Sequence, residues 1–173
     1  MKKLLVMVDL QHDFIDGALG TKEAVAIIPN VVDKISKWDG DIVCTMDTHY
    51  ENYLATSEGK KLPVVHCVED SDGWQINDRV CVAVKTSEKN VKVFKKNTFG
   101  SVELGEYIKT EGYDYVEFVG LCTDICVISN VMITKAMIPE AVIVVDSSCC
   151  AGVTPESHTN AIEAMKMCQI DIV

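Results

Sequence analysis

Two adjoining segments decide the fold: a strand-like run, Tyr115-Val116-Glu117-Phe118-Val119, and the turn after it, Gly120-Leu121-Cys122-Thr123-Asp124-Ile125-Cys126-Val127. The first segment is rich in β-branched and aromatic residues, which favour strands. Residues 125–137 are apolar on nearly every side and predict a buried helix. Thr123 and Asp124 are good helix-capping residues, so we expect Cys126 in the first turn of that helix.

A cysteine at a helix start has two interpretations. The unpaired backbone N–H groups and the positive end of the helix dipole favour the thiolate, which is the reactive form. Cysteine is also a small apolar residue that packs in cores without any chemical role. The stretch around Cys126 therefore leaves both roles open, and the rest of the chain has to decide between them.

The composition predicts one folded domain over residues 1–173. Lys and Arg number 16 against 26 Asp and Glu, and the net charge of -10 argues against a nucleic-acid or anionic-membrane partner. No apolar run approaches the roughly 18 residues that a membrane span requires. The first apolar run is short and ends at Asp9, so we interpret it as a strand and not as a signal peptide.

The chain has eight cysteines, at positions 44, 67, 81, 122, 126, 149, 150 and 168. Several lie inside apolar runs, and with no secretory signal we expect reduced thiols in a cytoplasmic protein. The spacing from Cys122 to Cys126 is not Cys-x-x-Cys, and no cysteine pattern is typical of a zinc knuckle or a redox dithiol.

Strand-like and helix-like segments alternate along the chain. The predicted strands are residues 4–8, 41–46, 90–94, 115–119, 141–145 and 169–173. The predicted helices are residues 21–38, where Pro29 argues against a continuous helix, 101–110, 125–137 and 155–167. Residues 50–81 are long, polar and aperiodic, which is typical of a functional loop. This alternation predicts an α/β fold, a three-layer α/β/α Rossmann-like arrangement with a mainly parallel central sheet of about six strands.

Polar residues follow five of the predicted strands: Asp9, Asp47, Lys96 after Lys95, the Cys126 turn, and Asp146. In an open parallel sheet, ligand sites lie beyond the carboxyl ends of the strands. An aspartate at a strand end commonly only caps a loop, so each position alone is ambiguous. Together they predict one shared crevice.

Five segments of the chain form a recognisable series: Asp9-Leu10-Gln11-His12-Asp13-Phe14, Asp47-Thr48-His49, Leu62-Pro63-Val64-Val65-His66-Cys67, Lys96-Asn97-Thr98-Phe99-Gly100-Ser101 and residues 120–127. In this order they resemble the motifs of the isochorismatase-like cysteine hydrolases and, among them, of the nicotinamidase/pyrazinamidase group. They extend over nearly the whole chain.

The resemblance implies a catalytic triad of Asp9, Lys96 and Cys126. An aspartate can take a thiol proton only if its pKa is raised, and a lysine between the two groups would stabilise the thiolate. The resemblance also implies a cis peptide bond before Cys122 and an oxyanion hole made by the backbone N–H groups of Cys122 and Cys126. Cysteine at position 122 is a mild departure, because the family often has a small residue such as alanine there.

The resemblance further implies a divalent metal held by Asp47, His49 and His66. Asp47 and His49 are two residues apart, so both can point to one side of an extended chain. Many relatives supply a third histidine, which this chain lacks between His49 and His66. Glu58 is the best substitute by position, and Glu51 follows it. Carboxylate and imidazole ligands suit zinc, and also manganese or iron.

Phe14, Phe99 and Leu121 are expected to line the substrate pocket, with Trp74 as a lesser candidate. Asp13 is interpreted as a loop or supporting group. His12 and His158 are expected on the surface, and Cys149 and Cys150 behind the strand that ends at Asp146.

The function that the resemblance implies is hydrolysis of nicotinamide to nicotinate and ammonia through a thioester on Cys126. Three alternatives are open: a cysteine hydrolase for another small amide or ureido compound, a catalytically silent binding member, and an isochorismatase proper. The first would generally lack the metal motif, the second would have no reason to keep Asp9, Lys96 and Cys126 together, and the third would not need Cys126. We expect a small-molecule amide as the partner and a homo-oligomer as the assembly.

Overall fold

The strands form one parallel sheet. The computed structural model, which describes residues 1–173, has six strands: β1 (Lys3–Val8), β2 (Asp41–Asp47), β3 (Val91–Lys96), β4 (Tyr115–Leu121), β5 (Val142–Ala151) and β6 (Asp171–Ile172). They are hydrogen-bonded in the order β3-β2-β1-β4-β5-β6, and all neighbouring strands are parallel. The predicted parallel sheet is confirmed.

Seven helices connect these strands. They are α1 (His12–Ile15), α2 (Lys22–Lys37), α3 (Ser57–Lys61), α4 (Asp78–Thr86), α5 (Val102–Glu111), α6 (Ile128–Met137) and α7 (Pro155–Met167). A 3₁₀ turn lies at Tyr53–Ala55 and a π-helical turn at Thr123–Val127. No helix combines the length and the apolar character that crossing a bilayer requires.

The sheet is buried on both faces, which explains why its strands are continuously apolar. Along β1, Leu5 and Met7 pack in one core with α1, α2 and α4, while Leu4 and Val6 pack in the other with α5, α6 and α7. Fully burying an aliphatic side chain contributes about 1.5–3 kcal/mol, so these two cores stabilise the helices on either side. The expected three-layer α/β/α arrangement is confirmed.

The helix ends follow their capping residues. Thr21, Ser101 and Thr154 each accept a hydrogen bond from the first turn of α2, α5 and α7, and Gly112 ends α5 with φ 69°. α2 runs through Pro29 without a break, so the doubt about a continuous helix was wrong. Pro29 lies on the exposed side, where the backbone carbonyl that loses its partner can face water.

Three predicted boundaries differ from the structure. Residues 50–81 are not a plain loop, because they contain the Tyr53–Ala55 turn, α3 and the start of α4. β6 has only two residues, and β5 continues to Ala151 instead of ending before Asp146. The pairing of β4 with β5 jumps from Phe118–Val145 to Gly120–Cys150, so the residues after Val145 bulge out of the ladder.

The sheet order places a site between β1 and β4. β1 leads to β2 and β3 on one side, and β4 leads to β5 and β6 on the other. Such a reversal opens a crevice at the carboxyl ends of the two central strands. Asp9 follows β1 there, and Cys126 follows β4.

Candidate active site

Cys126 lies in the π-helical turn that precedes α6, and not in the first turn of a capped α-helix. The carbonyl of Cys122 accepts hydrogen bonds from the N–H groups of Ile125 and Val127, at 3.0 and 3.1 Å. Neither Thr123 nor Asp124 caps the helix. The prediction of a side-chain cap was therefore wrong, and the turn is held by backbone bonds.

Cys126 is only 5% exposed, and its Sγ lies 3.5 Å from Nζ of Lys96. Burial, followed by the nearby charge of Asp9, raises the pKa of the Cys126 thiol well above its usual value, although Lys96 acts in the opposite direction. Burial therefore opposes the thiolate that a helix start was expected to favour.

Asp9 is fully buried immediately after β1, with a left-handed φ of 47°. Its Oδ2 lies 2.6 Å from Nζ of Lys96, and its Oδ1 accepts a 2.6 Å hydrogen bond from Oγ1 of Thr45. Burial raises the pKa of Asp9 above its ordinary value, although the positive charge of Lys96 opposes this. A carboxylate with a raised pKa is a better proton acceptor for the nearby thiol.

Lys96 connects the two halves of the site. Besides Asp9 and Cys126, its Nζ approaches Oδ1 of Asp47 at 3.5 Å. Burial would lower the pKa of Lys96, but the charges of the neighbouring carboxylates, Asp9 before Asp47, hold it well above its usual value. The ammonium group therefore stays charged between the carboxylates and the sulfur.

The peptide bond between Leu121 and Cys122 is cis, as the resemblance implies. The backbone N–H of Cys122 donates to no group of the protein. The buried side chain of Asn130 on α6 donates to the carbonyl of Cys126 at 2.8 Å and accepts from the N–H of Ser101 at 2.9 Å. Asn130 thus ties the turn that holds Cys126 to the loop after β3.

Four potential metal ligands converge beside Lys96: Asp47, His49, Glu58 and His66, whose ligand atoms all lie within 4.8 Å of one another. Asp47 and His49 come from the end of β2 and the residues after it, Glu58 from α3, and His66 from the loop that follows α3. Nε2 of His49 lies 2.9 Å from Oδ2 of Asp47 and 3.6 Å from Oε1 of Glu58. Glu51, the second candidate after Glu58 for the remaining metal ligand, is exposed and lies outside the group.

The chemistry of these four residues fits a divalent metal. Nε2 of His49 is buried and has no hydrogen-bond partner in the protein, so a cation would satisfy it. Nδ1 of His66 is 2.7 Å from the carbonyl of Val64 and must donate to it, which turns Nε2 toward the cluster. Burial would raise the pKa of Asp47, but His49 and His66 hold it well below its usual value, so Asp47 is a carboxylate.

Sequence reasoning missed the residues that support this cluster. The buried amide of Gln11 accepts from the N–H of Asp47 at 2.8 Å and donates to its carbonyl at 2.8 Å. Tyr53 packs against both imidazoles, with ring centroids 4.6 Å from His49 and 5.0 Å from His66. Gln11 belongs to the segment Asp9–Phe14, and its place in that motif was the one sequence signal that could have identified it. Nothing in the sequence marked Tyr53.

A cavity of about 800 Å³ opens beside the cluster and the cysteine. Phe14, Phe99 and Leu121 line it, together with Cys122 and Cys126. Phe99 is 47% exposed, which places it at the mouth of the cavity.

Trp74, the lesser pocket candidate, does not line the cavity, because its indole N–H donates to Oγ1 of Thr48 inside the core. Asp13 is a loop support that accepts from the N–H of Cys67 at 2.7 Å. Cys149 and Cys150 are buried on opposite faces of β5.

Asp146 does not reach the crevice. It starts the β5 bulge and pairs with Nζ of Lys34 on α2 at 2.8 Å, while its Oδ1 accepts from the N–H of Ser148. His158 is also not a plain surface residue, because its Nδ1 is hydrogen-bonded to Oγ1 of Thr123 at 2.8 Å. His12 is partly exposed beside Asp16.

Comparisons with known proteins match the chain along its length. The family model described as "Isochorismatase domain" matches residues 3–173. The "uncharacterized isochorismatase family protein PncA" of Bacillus subtilis is 24% identical over 139 residues, which are 74% of this chain and 75% of that protein.

Two solved structures share the fold. The nicotinamidase/pyrazinamidase PncA from Bacillus subtilis has a TM-score of 0.86 at 22% identity, over 100% of both chains. The pyrazinamidase of Pyrococcus horikoshii in complex with zinc has a TM-score of 0.81 at 25% identity, over 100% of this chain and 99% of that one.

Proposed function

The chain belongs to the isochorismatase domain family, and we propose that within it the protein is a nicotinamidase, a hydrolase that converts nicotinamide to nicotinate and ammonia. One observation carries the proposal: Lys96 joins Asp9 and Cys126 beside a cavity whose wall holds the Asp47, His49, Glu58 and His66 cluster. The two similar solved structures, a nicotinamidase/pyrazinamidase and a pyrazinamidase, support the substrate class.

The first step is a proton transfer. Cys126 rests as a thiol, and the Asp9 carboxylate takes its proton when a substrate amide is in place. The sulfur then attacks the carboxamide carbon and forms a C–S bond, while the carbonyl electrons move to oxygen. The backbone N–H groups of Cys122 and Cys126 are the proposed donors to that oxyanion.

The intermediate collapses with the breaking of the C–N bond. Protonated Asp9 gives its proton to the leaving nitrogen, so that ammonia departs and a thioester remains on Cys126. Asp9, again a carboxylate, removes a proton from a water molecule that attacks the thioester carbon. Breaking the C–S bond releases nicotinic acid, which loses its remaining proton to water and becomes nicotinate. Protonated Asp9 returns its proton to the sulfur, which restores the resting site.

The four-residue cluster is proposed to hold a divalent cation, with zinc as the first choice and manganese or iron as alternatives. Two imidazoles and two carboxylates suit these ions, and the relative from Pyrococcus horikoshii is a zinc complex. A bound ion would supply a Lewis-acid contact for a ring nitrogen in the cavity. Phe14 and Leu121 would pack against the ring and hold the amide over Cys126.

A second candidate substrate is a larger amide or a ureido compound. The cavity volume of about 800 Å³ lies toward the upper end of the range of small-ligand sites and leaves room beyond a single aromatic ring. The same three catalytic residues would serve such a substrate. Assembly into a homo-oligomer stays a prediction.

The test is ammonia release from nicotinamide by the purified protein, before and after chelation and re-addition of zinc or manganese. Cys126→Ala is expected to lower turnover by at least about 1,000-fold, because no other group can form the thioester. Cys168→Ala, at an exposed cysteine after α7, is the matched control and keeps activity. Retained activity in Cys126→Ala would refute the covalent mechanism, and no release by the metal-loaded protein would refute nicotinamide as substrate.

A further inference from the structure

Thr45 is a fully buried residue of β2 that contacts the proposed base. Its Oγ1 donates to Oδ1 of Asp9 at 2.6 Å and accepts from the N–H of Asp9 at 3.3 Å. The same N–H also reaches the carbonyl of Thr45 at 3.2 Å. The register that pairs Val8 with Thr45 places the hydroxyl beside the next residue of the chain, which is Asp9.

The two carboxylate oxygens of Asp9 therefore have different surroundings. Oδ1 is occupied by the Thr45 hydroxyl. Oδ2 lies 2.6 Å from Nζ of Lys96 but has no partner in hydrogen-bond geometry. A lone pair of Oδ2 is thus available for another proton donor, while Oδ1 is held in place.

We propose that Thr45 is a positioning residue for Asp9: its hydroxyl fixes the plane of the carboxylate, so that Oδ2 takes the proton of Cys126, and it stabilises the ionised form. This inference rests on the proposed function, in which Asp9 is the base. Without the hydroxyl, the carboxylate can turn about its broad terminal torsion and bury an oxygen that accepts no hydrogen bond. The pKa of Asp9, which burial raises, is kept lower by Lys96 and by this hydroxyl.

Other groups around Asp9 are unchanged when Thr45 is replaced. The titratable groups that interact electrostatically with the Asp9 carboxylate are Lys96 on β3, Asp47 and Cys44 on β2, Cys67 in the loop before α4, and Cys122 and Cys126 after β4. Thr45 is the one side chain that hydrogen-bonds to Oδ1. A change in the pH dependence of Cys126 on substitution of Thr45 therefore reports on that hydroxyl.

The experiment measures the rate at which iodoacetamide alkylates Cys126 as a function of pH, in metal-free protein, with the site identified by peptide mass spectrometry. Thr45→Val keeps the shape and removes the hydroxyl, whereas Thr45→Ser keeps the hydroxyl. Thr134→Val is the matched control, since Thr134 is equally buried and its hydroxyl has no partner.

Thr45→Val is expected to move the acid limb of the profile to higher pH by about one unit or more, the effect of losing a hydrogen bond to a charged group. Thr45→Ser and Thr134→Val should follow the wild-type curve. In the nicotinamide assay the same displacement is expected in the pH profile of kcat/KM.

A Thr45→Val profile that superposes on the wild type would overturn the inference, and so would an equal shift in Thr45→Ser, which would point to packing of the methyl group. Circular dichroism checks folding, and Thr45→Ala replaces the valine variant if that one does not fold. Alkylation needs no nicotinamide, so a shifted profile in a protein that releases no ammonia would refute the proposed substrate alone. Ammonia release with unshifted profiles would refute the role of Thr45 alone.

Discussion

Replacing Lys96 by methionine removes the only positive charge that contacts Asp9. Asp9 is fully buried and its Oδ2 is 2.6 Å from the ammonium group, so the substitution leaves a buried carboxylate with no opposite charge beside it. Breaking a buried ion pair in this way costs about 3–5 kcal/mol. Methionine has a similar length, which leaves little contribution from a cavity.

The loss of stability depends on pH because Asp9 can take up a proton and become neutral. Without Lys96 the pKa of Asp9 in the folded protein rises further above its pKa in the unfolded chain. The loss of stability is therefore present at pH values above the unfolded-chain pKa, and it fades as the pH falls toward that pKa. At pH 7, which is about three units above the unfolded-chain pKa of an aspartate, keeping Asp9 protonated in the folded protein costs about 1.36 kcal/mol per unit, or about 4 kcal/mol. At about pH 5 the same reasoning gives between 1 and 2 kcal/mol.

The assay is urea unfolding of metal-free protein at about pH 7.5 and 5, with a check that the slope with denaturant is unchanged. Lys95→Met is the matched control, since Lys95 is half-exposed and its 2.8 Å ion pair with Glu69 is worth at most about 1 kcal/mol. The double variant Asp9→Asn/Lys96→Met should be more stable than Lys96→Met at neutral pH, because no carboxylate is left to bury. A loss below about 1 kcal/mol at pH 7.5, or one that does not shrink at pH 5, would refute this account of the Asp9 and Lys96 pair.

Three further predictions concern the sheet, the β5 bulge and the cluster of four potential metal ligands. Gly120→Ala is expected to cost about 4 kcal/mol in urea unfolding, because φ is 124° and a Cβ would collide with the carbonyl of Val8. Asp146→Asn is expected to cost about 1 kcal/mol at neutral pH by weakening the contact with Lys34. Burial would raise the pKa of Asp146 but Lys34 keeps it lowered, so this stability is present above the unfolded pKa and lost as the pH falls below about 4. His49→Ala is expected to weaken zinc binding by more than about 100-fold in calorimetry while the reactive cysteine stays alkylatable.

Each of these has a discriminating comparison. Gly112→Ala meets no atom within 4 Å at φ 69°, so it should cost only about 1 kcal/mol, and an equal cost for the two glycine variants would contradict the clash. A stability difference between Asp146→Asn and wild type that is constant down to about pH 2 would contradict the ion pair. Unchanged zinc affinity in His49→Ala would exclude His49 as a ligand.

Much of the fold could be predicted because its signals are local. Continuously apolar segments indicated strands buried on both faces. In the structure, α2, α5 and α7 each begin after a capping residue, which is Thr21, Ser101 and Thr154 respectively. Pro29 misled the prediction, since a proline on the exposed side of a helix is tolerated. Asp146 misled it too, because a bulge in mid-strand has the same sequence pattern as a strand end.

The site could be predicted in part. Asp9, Lys96 and Cys126 were placed by their positions after strands and by resemblance, and the structure brings them into contact. Thr45 and Tyr53 carried no signal, since a threonine inside a strand and a tyrosine in a polar segment are ordinary. Their roles arise from distances to residues far away in the chain.

The sequence by itself determined which chemical groups stand at the carboxyl ends of the strands, because strand ends are set by local apolar patterns and parallel strands share one edge. Only the tertiary structure decided their ionisation and pairing. Burial beside Asp9 raises the pKa of the Cys126 thiol, and Glu58 lies with His49 and His66 because α3 brings it there. Burial and separations of a few ångströms set those free energies, and neither is written in any short stretch of the chain.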